Sequence, residues 1–252
     1  MSQLASYEHQ TAIFNPEAFT WPVHVIGLGG IGSALILPLA KLGLQSELHL
    51  WDHDPIIEPH NIPAQMVYRA KDIGKPKANT AAEIVRDYCD PQCRVIPHAE
   101  KVTEKSPLSG VVISGVDSMA SRKAIWSAVQ FNAKVPLYMD GRMGGEEIAL
   151  LTLNPSDLDA GTFYTGWLFD DKDGAQLPCA ARTVIHPPVV LAGHIIAQLT
   201  RFARQLETAR YIGVNTKETQ LINQKGITHV KATRRPGRPS LPFFGQGRRS
   251  RR

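Results

Sequence analysis

Residues 22–33 read Pro-Val-His-Val-Ile-Gly-Leu-Gly-Gly-Ile-Gly-Ser, an apolar run that breaks into glycines and then resumes as the apolar stretch Ala34–Ala40. A short buried strand over 22–27 followed by a helix over 31–43 accounts for that alternation. Glycine at the junction lets the backbone turn tightly and approach a ligand closely. The helix start adds unpaired N–H donors and the positive end of its dipole. A phosphate is the group such a turn receives, with Gly27, Gly29, Gly30, Gly32 and Ser33 around it. The next strand, Gln45 to Trp51, closes on Asp52, where a carboxylate can accept ribose hydroxyl protons. Gly27, Gly29 and Gly32 with an acid about 20 residues on are also a dinucleotide fingerprint, so these residues alone admit an NAD-dependent oxidoreductase.

Working outward, strands and helices continue to alternate. Asn79–Tyr88 groups Ala81, Ala82, Ile84, Val85 and Tyr88 with helical period. Strands follow at about 93–97 and 110–114, a helix at about 119–132, and strands at Val135–Met139 and Ile148–Leu153. This order predicts an α/β fold, a mostly parallel sheet with helices on both faces. Residues 154–183, rich in Asn, Pro, Asp and Gly, read as a long surface crossover loop. A long helix over about 186–208 follows, then a β-hairpin within Tyr211–Val230. One domain over 1–230 and an appendage over 231–252 result.

That appendage carries the charge. The 252-residue chain has a formal net charge of +5, yet Lys231 to Arg252 contain eight basic residues and no acid. The remainder holds 20 basic against 23 acidic residues and is therefore weakly acidic. A Pro-, Gly- and Arg-rich tail cannot bury enough apolar surface to order itself, and the composition predicts disorder. Its cations suit a polyanion, nucleic acid included, through counterion release. Three cysteines without a CxxC pair exclude a disulfide framework and a tetrathiolate zinc site, and they favour a reducing compartment. No signal peptide is visible, and the run Ala34–Ala40 is too short to span a bilayer. A cytoplasmic protein with no membrane association is expected.

Further residues distinguish the nucleotide chemistries. After Asp52 come Asp54, then Asn61 and Gln65, then Gly74-Lys75-Pro76-Lys77-Ala78. Later stand Asp117 with Arg122 five residues on, and Arg142 in Arg142-Met143-Gly144-Gly145. A lysine at a helix start facing the glycine turn has no task in hydride transfer. Cleaving ATP does need a cation against charge developing on the phosphates. It also needs a carboxylate at a strand end to hold Mg²⁺, which Asp117 can supply.

In this order and spacing, over about residues 22–208, the sequence resembles the ThiF-type adenylyltransferases, relatives of MoeB and of the ubiquitin-activating enzymes. The resemblance implies a Rossmann-like fold, a homodimer, and ATP–Mg²⁺-dependent adenylation of the C-terminal carboxylate of a ubiquitin-like or sulfur-carrier-like protein or peptide. It implies that Gly30 and Ser33 line the phosphates, Asp52 holds the ribose, Asn61 and Lys77 reach the phosphates, and Asp117 holds the metal. Gly27, Gly29, Gly32, Asp54 and Gln65 complete the nucleotide site, and Arg142 joins Lys77 and Asp117 in catalysis. Cys179, just before the long helix, stands where related enzymes place an acyl- or persulfide-accepting cysteine.

Two departures bear on activity. The family pattern Asn-x-x-Arg-Gln has Ala64 in place of its arginine, and the N-terminal segment Ser6-Tyr7-Glu8-His9-Gln10 lacks both family arginines. Arg142, Arg122 or His9 would have to compensate. Otherwise the chain is a nucleotide-binding scaffold that does not adenylate.

Overall fold

A computed structural model describes residues 6–171, 184–218 and 220–225. Along the chain these form β1 (Val23–Ile26), α1 (Gly30–Lys41), β2 (Glu47–Trp51), α2 (Lys77–Arg86), β3 (Arg94–His98), β4 (Val111–Ser114) and α3 (Met119–Val129). There follow β5 (Leu137–Gly144), β6 (Glu147–Leu153), α4 (Leu158–Thr165), α5 (His186–Ala203), β7 (Ala209–Asn215) and β8 (Gln220–Lys225). The strands make one sheet in the order β3-β2-β1-β4-β5-β6-β7-β8. The first five are parallel, and β6, β7 and β8 join antiparallel.

Strand periodicity divides the core in two. Val111 and Ile113 of β4, with Leu137 and Met139 of β5, face a core shared with α1, α2 and α5. Val112 and Tyr138 point the other way, onto α3 and α4. Both faces of the central strands β1 and β4 are thus covered, and each is buried at every position, whereas β3 at the sheet edge is buried only at Val95. α1 packs against both sheet and α5, so its sequence is apolar almost all round. The chain leaves β1 toward β2 on one side and returns to β4 on the other. That reversal opens a crevice beyond the carboxyl ends of β1 and β4, where sheets of this kind bind ligands.

The expected elements are present, with three differences. β5 runs on to Gly144, because its pairing with β6 extends through Gly144 and Glu147; Arg142 therefore sits on a strand. The expected loop 154–183 contains α4, which Asp157 caps by accepting N–H bonds from Asp159 and Ala160. Its buried residues include Ala160, Gly161 and Tyr164, too few to show a period in sequence. α5 ends at Ala203 rather than near 208, and Gln205 just beyond takes a left-handed φ of 56°. The tail 231–252 lies outside the described residues. Among the described residues no helix is long and apolar enough to cross a membrane.

One buried group makes stability pH-dependent. His24 of β1 is buried, accepts the Trp51 indole N–H at 3.1 Å and stacks on His49 with ring centroids 4.2 Å apart. Burial, reinforced by His49 and His98, pushes its pKa down from 6.5 to about 3. The unfolded chain then binds the extra proton first, so stability falls as pH drops below about 6.5 and continues falling toward about 3. We expect this group alone to remove about 2 kcal/mol between neutral pH and about pH 5. His24→Gln keeps an acceptor for Trp51 and should flatten the urea-unfolding free energy over that range. An undiminished slope would assign the loss to other groups.

Candidate nucleotide-binding site

The glycine turn is held by backbone and by one acid. Gly27 adopts φ +86° and donates its N–H to the Trp51 carbonyl at 2.8 Å. A Cβ on Gly32 would stand 2.0 Å from the Gly27 carbonyl oxygen, so this glycine is required for the helix to pack on the turn. Among the described residues, a Cβ on Gly29 would meet no atom within 4 Å beyond its own chain neighbours. Gly29 caps α1 without a side chain, and the first turn carries no acid. The leading N–H groups of α1 are left to a ligand, which fits an anionic group.

Asp52 is buried beside this turn. Its Oδ2 accepts the Leu28 N–H at 2.7 Å and its Oδ1 accepts the Asp54 N–H at 2.9 Å. Burial raises its carboxyl above the ordinary range, and the nearby Lys77 charge opposes that rise. A carboxylate has lone pairs left after two such bonds, so ribose hydroxyls can still be accepted. Tyr68 completes the support by donating to the Leu28 carbonyl at 3.2 Å.

Lys77 is the first residue of α2 and only 3% exposed. Its Nζ lies 2.5 Å from Oδ2 of Asp54, which is half exposed at the cleft. The approach to α2 is fixed by buried Asp72, which takes ion pairs from Arg69 at 2.8 Å and Lys75 at 3.2 Å. Asn61 is buried and accepts the Glu58 N–H through its side chain, closing a short turn. Gln65 is buried too, and its Oε1 has no hydrogen-bond partner among the described residues. Ser33, fully buried, donates to the Gly30 carbonyl at 3.1 Å and accepts the Met66 N–H at 3.0 Å. Its hydroxyl thus ties the 61–66 loop to α1.

All these groups converge. Gly27, Gly29, Gly30, Asp52, Asp54, Asn61, Gln65, Lys77, Asp117 and Arg142 line one cleft of about 1250 Å³ at the carboxyl ends of the parallel strands. Gly32 and Ser33 stand behind its wall. Asp117 is exposed there, directly after β4, and makes no hydrogen bond to protein among the described residues. Ligand atoms of Asp52, His53 and Asp54 lie within 4.8 Å of one another, a second place where a cation could be held. Cys179 lies outside the described residues. The N-terminal segment docks at the far end of α1, where Gln10 donates to the Leu42 carbonyl at 2.7 Å. A 12-residue helix is about 18 Å long, so His9 of this chain does not share the cleft.

A buried charge cluster forms the β5 end of the cleft. Asp140, fully buried, pairs with Arg122 Nε at 3.1 Å and Arg142 Nε at 2.9 Å, and accepts the Tyr164 hydroxyl at 2.9 Å. Burial pushes its carboxyl upward, but Arg142 and Arg122 outweigh that and hold it below the ordinary carboxylate range. Sequence reasoning singled out both arginines but missed Asp140 and Tyr164. The available signal was Asp140-x-Arg142, a spacing that puts both side chains on one face of a strand.

A doubly wound sheet with a glycine turn, a buried lysine and paired acids at its switch point defines a Rossmann-like α/β protein built to hold a nucleotide. The chain belongs to the ThiF family, whose profile matches residues 16–235. It is 35% identical over 105 residues to the NEDD8-activating enzyme E1 catalytic subunit of Saccharomyces cerevisiae, covering 40% of this chain and 34% of that one. The chain thus spans about a third of that enzyme's length. In fold it is similar to the crystal structure of PaaA, with a TM-score of 0.64, 18% identity, and coverage of 89% of this chain and 76% of that one. It is also similar to E. coli MccB crystallised with ATP, with a TM-score of 0.61, 19% identity, and coverage of 81% and 63%.

Proposed function

We propose that this chain uses ATP to adenylate the C-terminal carboxylate of a ubiquitin-like or sulfur-carrier-like protein or peptide. The observation that carries this reading is the cleft itself, where an open helix N-terminus, Lys77, Asp117 and Arg142 face one space. The first N–H groups of α1 receive the phosphates, and Asp52 receives the ribose. Lys77 neutralises charge that grows on the departing pyrophosphate, which requires Asp54 to share or release it. Asp117, unengaged by protein donors, would hold Mg²⁺, whose charge further stabilises the phosphates. A carboxylate oxygen of the acceptor attacks the α-phosphorus, the bond to the bridging oxygen breaks, and pyrophosphate leaves with that electron pair. No protein base is needed, because the attacking carboxylate is already ionised near neutral pH. A thiolate at Cys179 could then displace AMP from the acyl group to give a thioester. The homodimer and the cytoplasmic setting belong to the same reading.

The name of the yeast relative and the ATP in the MccB crystal support this class of chemistry. ATP–pyrophosphate exchange with a candidate ubiquitin-like partner tests it. Exchange that depends on the partner is the expected result, and its absence with every candidate tried would refute the reading. Ala64 favours a second one, a nucleotide-binding protein that does not adenylate. Under that reading ATP binds in calorimetry without turnover, and Ala64→Arg switches exchange on.

A further inference from the structure

The Asp140 cluster holds more positive than negative charge. One fully buried carboxylate faces two guanidinium groups, those of Arg122 and Arg142, leaving one unit of positive charge in excess. The arginines are held rigidly: Arg122 also donates to the Gly141 carbonyl at 3.2 Å, and Arg142 to the Trp167 carbonyl at 2.8 Å. Yet among the described residues Nη2 of Arg142 is buried without a well-directed hydrogen bond, although it stands 2.8 Å from Asp140 Oδ2 as an ion pair. Behind the carboxylate, Tyr164 donates to Oδ2, and its hydroxyl meets that of Tyr138 at 2.9 Å. Among the described residues the second guanidinium charge meets no second carboxylate, only backbone carbonyls and the ring faces of Tyr164 and Trp167 at 5.9 and 5.7 Å, so an anion would complete the cluster. Both arginines line the cleft, so an anion can do so.

Position indicates which anion. The glycine turn, between β1 and α1, and Lys77, which opens α2, are the groups suited to the triphosphate. β5 lies two strands from β1 across β4, about 10 Å at ordinary strand spacing. With the triphosphate held at the glycine turn and Lys77 as proposed above, an acyl group joined to the α-phosphate can reach across β4 toward that end. The cleft wall there also carries Phe169, Val184 and Ile185, apolar side chains against which an extended chain end can lie.

We propose that Asp140 is a positioning residue that, backed by Tyr164, holds Arg122 and Arg142 as a receptor for the acceptor's terminal carboxyl group, whose non-attacking oxygen stays with the arginines as the carbonyl oxygen of the adenylate. The proposal rests on the adenylation reading above and adds to it where the second substrate binds. It does not need the acceptor's identity to be tested. A suitable probe is 5′-O-(N-glycylsulfamoyl)adenosine, a stable mimic of a glycyl adenylate, compared with AMP and ATP by calorimetry on the full chain.

Wild type should prefer the mimic over AMP. Asp140→Asn should reduce that preference by about tenfold, as expected for lost charge-assisted bonding, and should weaken the mimic more than ATP. Tyr164→Phe removes only the hydroxyl behind the carboxylate; it should reduce the preference about threefold, and it decides the matter if Asp140→Asn does not fold. A preference unchanged in folded variants overturns the proposal, as does an equal loss for ATP and the mimic, which marks a purely structural role. Wild type that binds neither ATP nor the mimic would instead defeat the nucleotide reading itself.

Discussion

Lys77→Ala is expected to lower ATP–pyrophosphate exchange by about 10²–10³-fold, the usual effect of removing a preorganised group that stabilises transition-state charge. Two effects act together. Lys77 is enclosed at the start of α2, so its charge acts where water screens it little. In the proposed complex its removal also leaves Asp54, without its lysine, beside the phosphates. The double variant Lys77→Ala/Asp54→Asn separates the two, since it removes the repulsion while leaving the cation absent. Recovery of about tenfold would show that the orphaned carboxylate contributes roughly 1.4 kcal/mol of the loss. Exchange in Lys77→Ala within about threefold of wild type would exclude the lysine from catalysis.

Gly32→Ala is expected to cost about 3 kcal/mol of stability, the upper part of the range for overpacking. The added Cβ would stand 2.0 Å from the Gly27 carbonyl oxygen, a backbone atom with no freedom to rotate aside. Relief requires the turn to move, and Leu28 then loses its bond to Asp52. Thermal unfolding should fall by roughly 10 °C. Gly29→Ala supplies the contrast. Among the described residues no atom beyond its chain neighbours lies within 4 Å of its added Cβ, so stability should change by about 1 kcal/mol or less, while ATP affinity falls because the methyl group occupies the cleft. If Gly29→Ala binds ATP as wild type does, the phosphates do not approach this turn. If Gly32→Ala melts as wild type does, the turn is not held as described.

The glycine turn was legible because its constraint is local. A strand that must turn within a few residues into a helix leaves apolar runs on either side and glycines between them, and β1 and α1 fall where that pattern puts them. Lys77 was legible from residue type, since a cation facing the glycine turn suits ATP cleavage and has no task in hydride transfer, and α2 begins at Lys77 itself, two residues before the expected Asn79. α4 was not, because its register depends on Tyr164 reaching Asp140 on β5, a partner 24 residues away. β5 was read too short because Gly141, Gly144 and Gly145 resemble a turn. In the fold, pairing with β6 carries the strand through Gly144, and the chain reverses at Gly145 with φ 61°. Ser33 illustrates a subtler gap. Its place after the glycines suggested a phosphate contact, but its hydroxyl is engaged by the Gly30 carbonyl and the Met66 N–H.

The sequence by itself determined the sheet-and-helix alternation, the turn that begins the cleft, and the order of Asp52, Lys77, Asp117 and Arg142, since each rests on short-range backbone geometry or on residue type. Only the tertiary structure decided that the three antiparallel strands extend the parallel sheet, that Gly32 and Ser33 stand behind the wall, and that a buried aspartate sits between two arginines. Those facts depend on residues distant in sequence meeting across strands. Burial then strengthens their electrostatics, which no local pattern of residues records.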